Sequence, residues 1–128
     1  MDLLLDTHAF VWFLNGDNQL PVSVRYLIAD TSNRCFFSIA SLWEIAIKNS
    51  LGKLNMQGSF SQLANFLNEN AIEVLPVTFE HIQRLLQLEY LHRDPFDRMI
   101  LAQSLTENIT LVSKDDIFRK YGATLLWK

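Results

Sequence analysis

Asp6, Glu44, Asp97 and Asp115 each stand beside an apolar run, in the segments DLLLDTH, FFSIASLWEIAIK, HRDPFDRMILA and TLVSKDD. Acids that recur where strands end or helices begin can converge at one edge of a parallel sheet. A carboxylate cluster with few neutralising charges is unfavourable unless it binds a hard cation. Oxygen ligands without a His or Cys cluster favour Mg²⁺ or Mn²⁺ over zinc. Such an ion orients water, lowers its pKa and neutralises charge at phosphorus, so no side-chain nucleophile is needed. The chemistry this set points to is metal-assisted hydrolysis of phosphodiesters.

Each acid also has a structural reading. Asp6 follows a strand and can cap the helix after it. Glu44 can form an exposed pair with Lys48 one turn on, with Ser41, Glu44 and Lys48 as one solvated face. Leu42, Trp43, Ile45, Ala46 and Ile47 make that helix apolar around much of its circumference, so its lone acid is expected to be buried for a purpose. Asp94 suits an N-cap, Pro95 the first helical position, and Asp97 the first turn, where negative charge complements the helix dipole. Capping needs only one acid, which leaves Asp97 for function. Ser113 can cap a last short helix with Asp116 in a capping box. Asp115 then lies nearest the strand end, and Asp116 stays a possible substitute. Arg93, Arg98 and Lys114 flank these acids and are the candidates for phosphate contacts. His8 is expected to be partly buried in a first helical turn, and His81 and His92 have no metal-ligand spacing with it. Trp12, Phe13 and Trp43 can stack on bases, although aromatics on apolar helix faces read first as core or interface.

The elements that must position these residues follow from periodicity and turn signals. Strands are predicted over 2–6, 35–39, 73–76 and 110–113, with an edge strand over 123–127. Helices are predicted over 7–14, 21–29, 41–49, 59–68, 78–88 and 95–107, with a short one from Asp115. Residues 53–58 read as a loop, and the strand-free 51–72 region as a helical arm. Strands alternating with helices imply a parallel sheet covered on both faces, with right-handed crossovers. In such α/β folds the site lies beyond the carboxyl ends of the strands.

A chain of 128 residues, 49% of them hydrophobic, fits a single domain over 1–128 with one core. The formal charge of −3 denies it an overall basic footprint and weighs against a non-specific DNA-binding module. No apolar run approaches the ~20 residues of a membrane span. The Met-Asp-Leu-Leu-Leu-Asp start lacks the basic residues of a signal peptide. Cys35 is the only cysteine, so no disulfide forms within the chain. A cytoplasmic location, with Cys35 as a buried structural thiol, is the expectation.

Taken together, the segments resemble the PIN-domain family, and within it the VapC-type toxins of type II toxin–antitoxin pairs. LLLDTHAFVWFL resembles the family's opening strand and helix, and SIASLWEIAIKNSLGKL its second motif. HRDPFDRMILAQSL resembles the third and ITLVSKDDIFRKYG the fourth, so the likeness spans nearly the whole chain. The resemblance implies a PIN-like three-layer α/β/α fold with a short parallel sheet of four to five strands. It implies a metal-dependent endoribonuclease whose Mg²⁺ or Mn²⁺ is held by Asp6, Glu44, Asp97 and Asp115. It also implies an RNA substrate, a homodimer and a cognate antitoxin that inhibits it. His8 stands where some relatives have Asn, and Ser113 where Thr is commoner, with the hydroxyl kept. A phospho-receiver domain needs an acceptor Asp near mid-chain, and the stretch from Ile45 to Glu69 has none. A non-catalytic RNA-binding module and a structure-specific DNA nuclease of the same fold are the remaining alternatives.

Overall fold

Three consecutive leucines, Leu3 to Leu5, need apolar cover on both sides of a strand. The computed structural model, which describes residues 1–54, 56 and 58–127, gives them the middle of a sheet. The strands are β1 (Asp2–Leu5), β2 (Arg34–Ser38), β3 (Ile72–Leu75), β4 (Thr110–Val112) and β5 (Leu125–Leu126). All pairings are parallel, in the order β3-β2-β1-β4-β5. Leu4 lies between Phe36 and Leu111 in register.

Because strand side chains alternate between faces, this register sorts them into two cores. Leu3, Leu5, Cys35, Phe37 and Val112 share one core with Phe10, Val24, Ile28 and Leu67. Leu4, Phe36 and Leu111 share the other with Ile100, Leu101 and Phe118. The first is covered by α1 (Thr7–Asn15), α2 (Val22–Ala29) and α4 (Leu63–Glu69), and Ile45 of α3 (Ile39–Ser50) joins it. The second lies under α6 (Pro95–Glu107) and a 3-10 turn over Asp116–Tyr121, with α5 (Phe79–Gln87) packed against α6. The expected three-layer α/β/α fold is therefore what forms, with five strands. The expected helical arm is a 3-10 turn over Phe60–Gln62 that runs into α4, whose Leu63 and Leu67 are buried. Asn55 and Gln57, inside the predicted 53–58 loop, lie outside the described residues.

The boundary between β2 and α3 differs from the sequence reading. Ser38 ends β2, and its hydroxyl accepts the Ala40 N–H at 3.1 Å, so α3 starts at Ile39 with no intervening loop. Cys35 is buried as expected, 3.6 Å from the Ile28 carbonyl, and burial pushes its thiol up to about 11. No helix among the described residues is long and apolar enough to cross a membrane.

The chain winds outward from β1 to β2 and β3, then returns to place β4 on the other side of β1. The strand order reverses between β1 and β4, and a crevice opens beyond their carboxyl ends. Asp6 and Ser113 flank that crevice, and the Asp6 N–H extends the ladder to the Val112 carbonyl at 3.0 Å.

Candidate metal centre at the sheet switch point

Asp6 is buried at the end of β1 and caps α1, its Oδ1 accepting the Ala9 N–H at 2.7 Å. Burial pushes its carboxyl above the ordinary value and the charge of Asp115 adds to this, against the hydrogen bonds from Ser113 and Ala9 and the charge of His8. Ser113 also accepts the Asp115 N–H at 3.1 Å, so one hydroxyl ties the ends of β1 and β4. Its own burial is complete.

Glu44 reaches the same place from α3. It is only 3% exposed. The Thr7 hydroxyl donates to its Oε1 at 2.6 Å, and Lys48 holds its Oε2 at 2.6 Å. The pairing with Lys48 forms as the sequence suggested, but Glu44 and Ser41 are buried, so the three residues are not one solvated face. The Glu44 hydrogen bond, followed by the charges of Glu44, Asp94 and Asp97, raises the Lys48 pKa, so this ammonium stays charged.

Asp94 caps α6, its Oδ1 accepting the N–H groups of Phe96 and Asp97, each at 2.9 Å, with Pro95 opening the helix. Asp97 is then free to turn to the crevice. Burial, followed by the charges of Asp94, Asp6, Glu44 and Asp115, pushes its carboxyl up to about 7. This links all of the predicted acids electrostatically. Asp115 is the N-cap of the last 3-10 turn, its Oδ1 accepting the Ile117 N–H at 3.1 Å, while its Oδ2 faces inward. Asp116 points into solvent beside Arg119. Of these two neighbours, Asp115 is the one in the cluster.

The sequence reading missed His92. Its Nε2 lies 3.0 Å from Asp97 Oδ2 and 3.5 Å from Asp115 Oδ2. One donor atom from each of these residues falls within 4.8 Å of the others. The Nε2 atom is buried, yet it has no aligned hydrogen-bond partner. A divalent cation fits such a set, since it would neutralise the carboxylates and use the stranded nitrogen. Ligation through Nε2 requires the ring proton on Nδ1, in place of the 3.4 Å approach of the Asp94 N–H. His92 thus adds a nitrogen to what the sequence presented as an all-oxygen set.

The basic residues part company. Arg98 is buried, and its guanidinium donates to the carbonyls of Leu85, Leu88, Glu89 and His92, with its face over Tyr90 at 4.6 Å. The expected phosphate contact from Arg98 is corrected by that geometry: its donors are spent on the 85–92 segment. Arg93 and Lys114 stay exposed, and Lys114 borders the acids. His8 is exposed, not partly buried, and lies beside Trp12. His81 is fully buried, with Nε2 2.7 Å from Glu107, and joins α5 to α6 away from the crevice.

The PIN domain family model matches residues 3–123. The chain belongs to the PIN domain family. Members of this family are generally nucleases and typically use divalent metal ions. Among solved structures, the PIN fold seen here is similar to a chain of the VapBC2 complex of Rickettsia felis bound to a promoter DNA fragment. That match has 21% identity over 100% of both chains and a TM-score of 0.75. VapBC-1 of nontypeable Haemophilus influenzae follows at 18% identity, covering 98% of this chain and 97% of that one, with a TM-score of 0.68. FitAcB of Neisseria gonorrhoeae is similar at 15% identity, covering 97% and 96%, with a TM-score of 0.63. No curated protein matches the chain significantly.

Proposed function

We infer that this PIN domain protein is a metal-dependent endoribonuclease and the toxin of a type II toxin–antitoxin pair. The observation that carries the reading is the convergence of Asp6, Glu44, Asp97 and Asp115 on one crevice, felt at Asp97 as a carboxyl raised to about 7. Asp6, Asp97 and Asp115 would hold the ion with His92, and Glu44 would complete the acidic wall. The imidazole tilts the preference from Mg²⁺ toward Mn²⁺. When bound, the ion supplies a water of lowered pKa and positive charge beside the phosphate. Lys48 holds Glu44 in place through its 2.6 Å contact with Oε2. Ser113 fixes the spacing of Asp6 and Asp115. Lys114 and Arg93 offer exposed ammonium and guanidinium groups to the phosphates of the strand.

The toxin reading draws support from the fold shared with chains of VapBC and FitAB-type complexes. An antitoxin segment has a receptive surface in the largely apolar groove between α3, α4 and β3, lined by Leu42, Phe60, Leu63, Ala64, Leu67 and Val74. A homodimer is the natural partner of the exposed apolar face on α3, α5 and α6. RNA is favoured over DNA by the family resemblance, and a cytoplasmic location follows from that role.

The test is incubation of total bacterial RNA with the purified, antitoxin-free protein in Mg²⁺, in Mn²⁺ and in EDTA. Discrete fragments that need metal are expected, and Asp6→Asn and Asp97→Asn should abolish them while circular dichroism stays unchanged. Full cleavage by both variants would overturn the mechanism. Neither cleavage nor metal binding would identify a non-catalytic module, and preferential cutting of added single-stranded DNA would make it a DNA nuclease.

A further inference from the structure

A cavity of about 340 Å³ opens beside the acids, between α1 and the end of β4, and its lining is mixed in an informative way. Asp6 and Asp115 form one end. Trp12, His8, Gln19 and Lys114 form the rest. The His8 and Trp12 rings lie 5.8 Å apart, tilted by 34°. Trp127 packs against Trp12 from the β5 side, with ring centroids 6.0 Å apart. Trp12 is also anchored on the first core, so its indole is half-buried and held in place before any ligand arrives. Gln19 is fixed at its backbone by a 2.9 Å bond to Asp17 Oδ1. Lys114 is exposed and has no ion pair among the described residues.

We propose that this cavity is a nucleobase site. It receives one base of the strand whose neighbouring phosphate lies over the acids. The indole is a stacking face, and stacking on an aromatic ring is tolerant of base identity. Gln19 lines the cavity, and its amide, which makes only a long 3.5 Å approach to Asp17 Oδ2, is the group to read a base edge by hydrogen bonds. Lys114 stands where the linking phosphate enters. The volume admits one base and not a run of them, being at the small end of ligand cavities. An overall acidic chain thereby gains affinity for a polyanion at one place, through a π face and a single cation, without a basic surface. This site rests on the ribonuclease reading of the adjacent acids and adds a recognition element to it.

The experiment uses the full chain carrying Asp97→Asn, in Mn²⁺, so that the strand is not cut. Fluorescence anisotropy compares a labelled octa-adenylate with an abasic ribose-phosphate strand of the same length. The base-bearing strand should bind about tenfold more tightly, within the range expected for one stacked base. Adding Trp12→Leu, which keeps apolar volume against the core, should make the two strands bind alike. Trp12→Phe should restore most of the preference, and Trp43→Leu, on a different face, should leave it intact. A preference that survives Trp12→Leu overturns the proposal. So does a wild-type chain that cleaves RNA with metal while the Asp97→Asn chain binds both strands alike; that result leaves the nuclease reading standing. Absence of both cleavage and binding overturns the two together.

Discussion

A carboxylate at the head of a helix has two oxygens, and Asp115 uses them separately: Oδ1 caps the 3-10 turn, and Oδ2 faces His92. Asp6 likewise caps α1 while bordering the crevice. Capping and site chemistry, weighed as rivals in the sequence, are compatible roles of one residue. Asp97 differs because Asp94 has taken over the capping. Its carboxyl, raised to about 7 by burial and by Asp94, Asp6, Glu44 and Asp115, makes the metal-free protein sensitive to pH. In the unfolded chain this group ionises near its ordinary value, so between that value and about 7 the folded state binds the extra proton. Stability of the metal-free protein therefore falls as pH rises through this window. A unit of pKa shift corresponds to about 1.4 kcal/mol. Sharing among coupled acids and partial solvation reduce the net effect to the order of 2 kcal/mol. Asp97→Asn should accordingly raise the melting temperature in EDTA by several degrees at pH 8 and by little at pH 5. Equal shifts at the two pH values would show that Asp97 does not carry this strain. The Arg98 misreading also belongs to this scale. Adjacent helical residues point about 100° apart, so a basic residue next to Asp97 in sequence cannot share its direction.

The segment between α5 and α6 is the element that the sequence concealed. Nothing in the wording HRD says that His92 turns inward, because the groups that bend this loop come from elsewhere. The Tyr121 hydroxyl accepts the N–H groups of Leu91 and His92, at 3.0 and 2.8 Å, and donates to the Glu89 carbonyl at 2.8 Å. Arg98 collects the carbonyls on the same stretch. Contacts of that sequence separation leave no local pattern. The strands and most helices, by contrast, announce themselves through alternation, caps and turn residues such as Gly16, which ends α1 in a left-handed conformation. Glu44 was legible for a related reason, since an acid in so apolar a helix has few places to go. Tyr121→Phe should lower stability by about 1–3 kcal/mol through unsatisfied loop groups. If the loop positions His92, titration calorimetry should also show Mn²⁺ affinity falling several-fold. A melting temperature that drops while Mn²⁺ affinity holds would separate the loop from the metal centre.

At the scale of the molecule, the sheet topology decides where the site is, and the helices decide what the outside offers. Phe79, Ile82 and Leu86 lie on one stripe of α5, and Phe79 and Leu86 are 75% and 79% exposed. Leu85, next to Leu86 on α5, lines a nearly wholly apolar cavity of about 580 Å³ with Ile39, Trp43, Val77, Phe96 and Met99. Soluble monomers rarely leave so much contiguous apolar surface uncovered. A second copy of the chain, related by a twofold axis, is the occupant that the family resemblance implies. The same two helices serve both surfaces: α3 carries Trp43 on this face and Glu44 in the crevice, and α6 carries Phe96 and Asp97 in the same way. Covering the face would therefore restrain the helices that aim the acids. Light scattering should give about twice the 14.8 kDa of one chain, and Leu86→Glu should return it to a single chain. The melting temperature of the wild type should rise with protein concentration, while that of the variant should not. A several-fold loss of Mn²⁺ affinity in the monomeric variant, with Leu86 itself outside the proposed ligand set, would show that assembly and the metal centre are coupled. Unchanged affinity would make the interface a matter of association alone, and a wild type that stays monomeric would remove it.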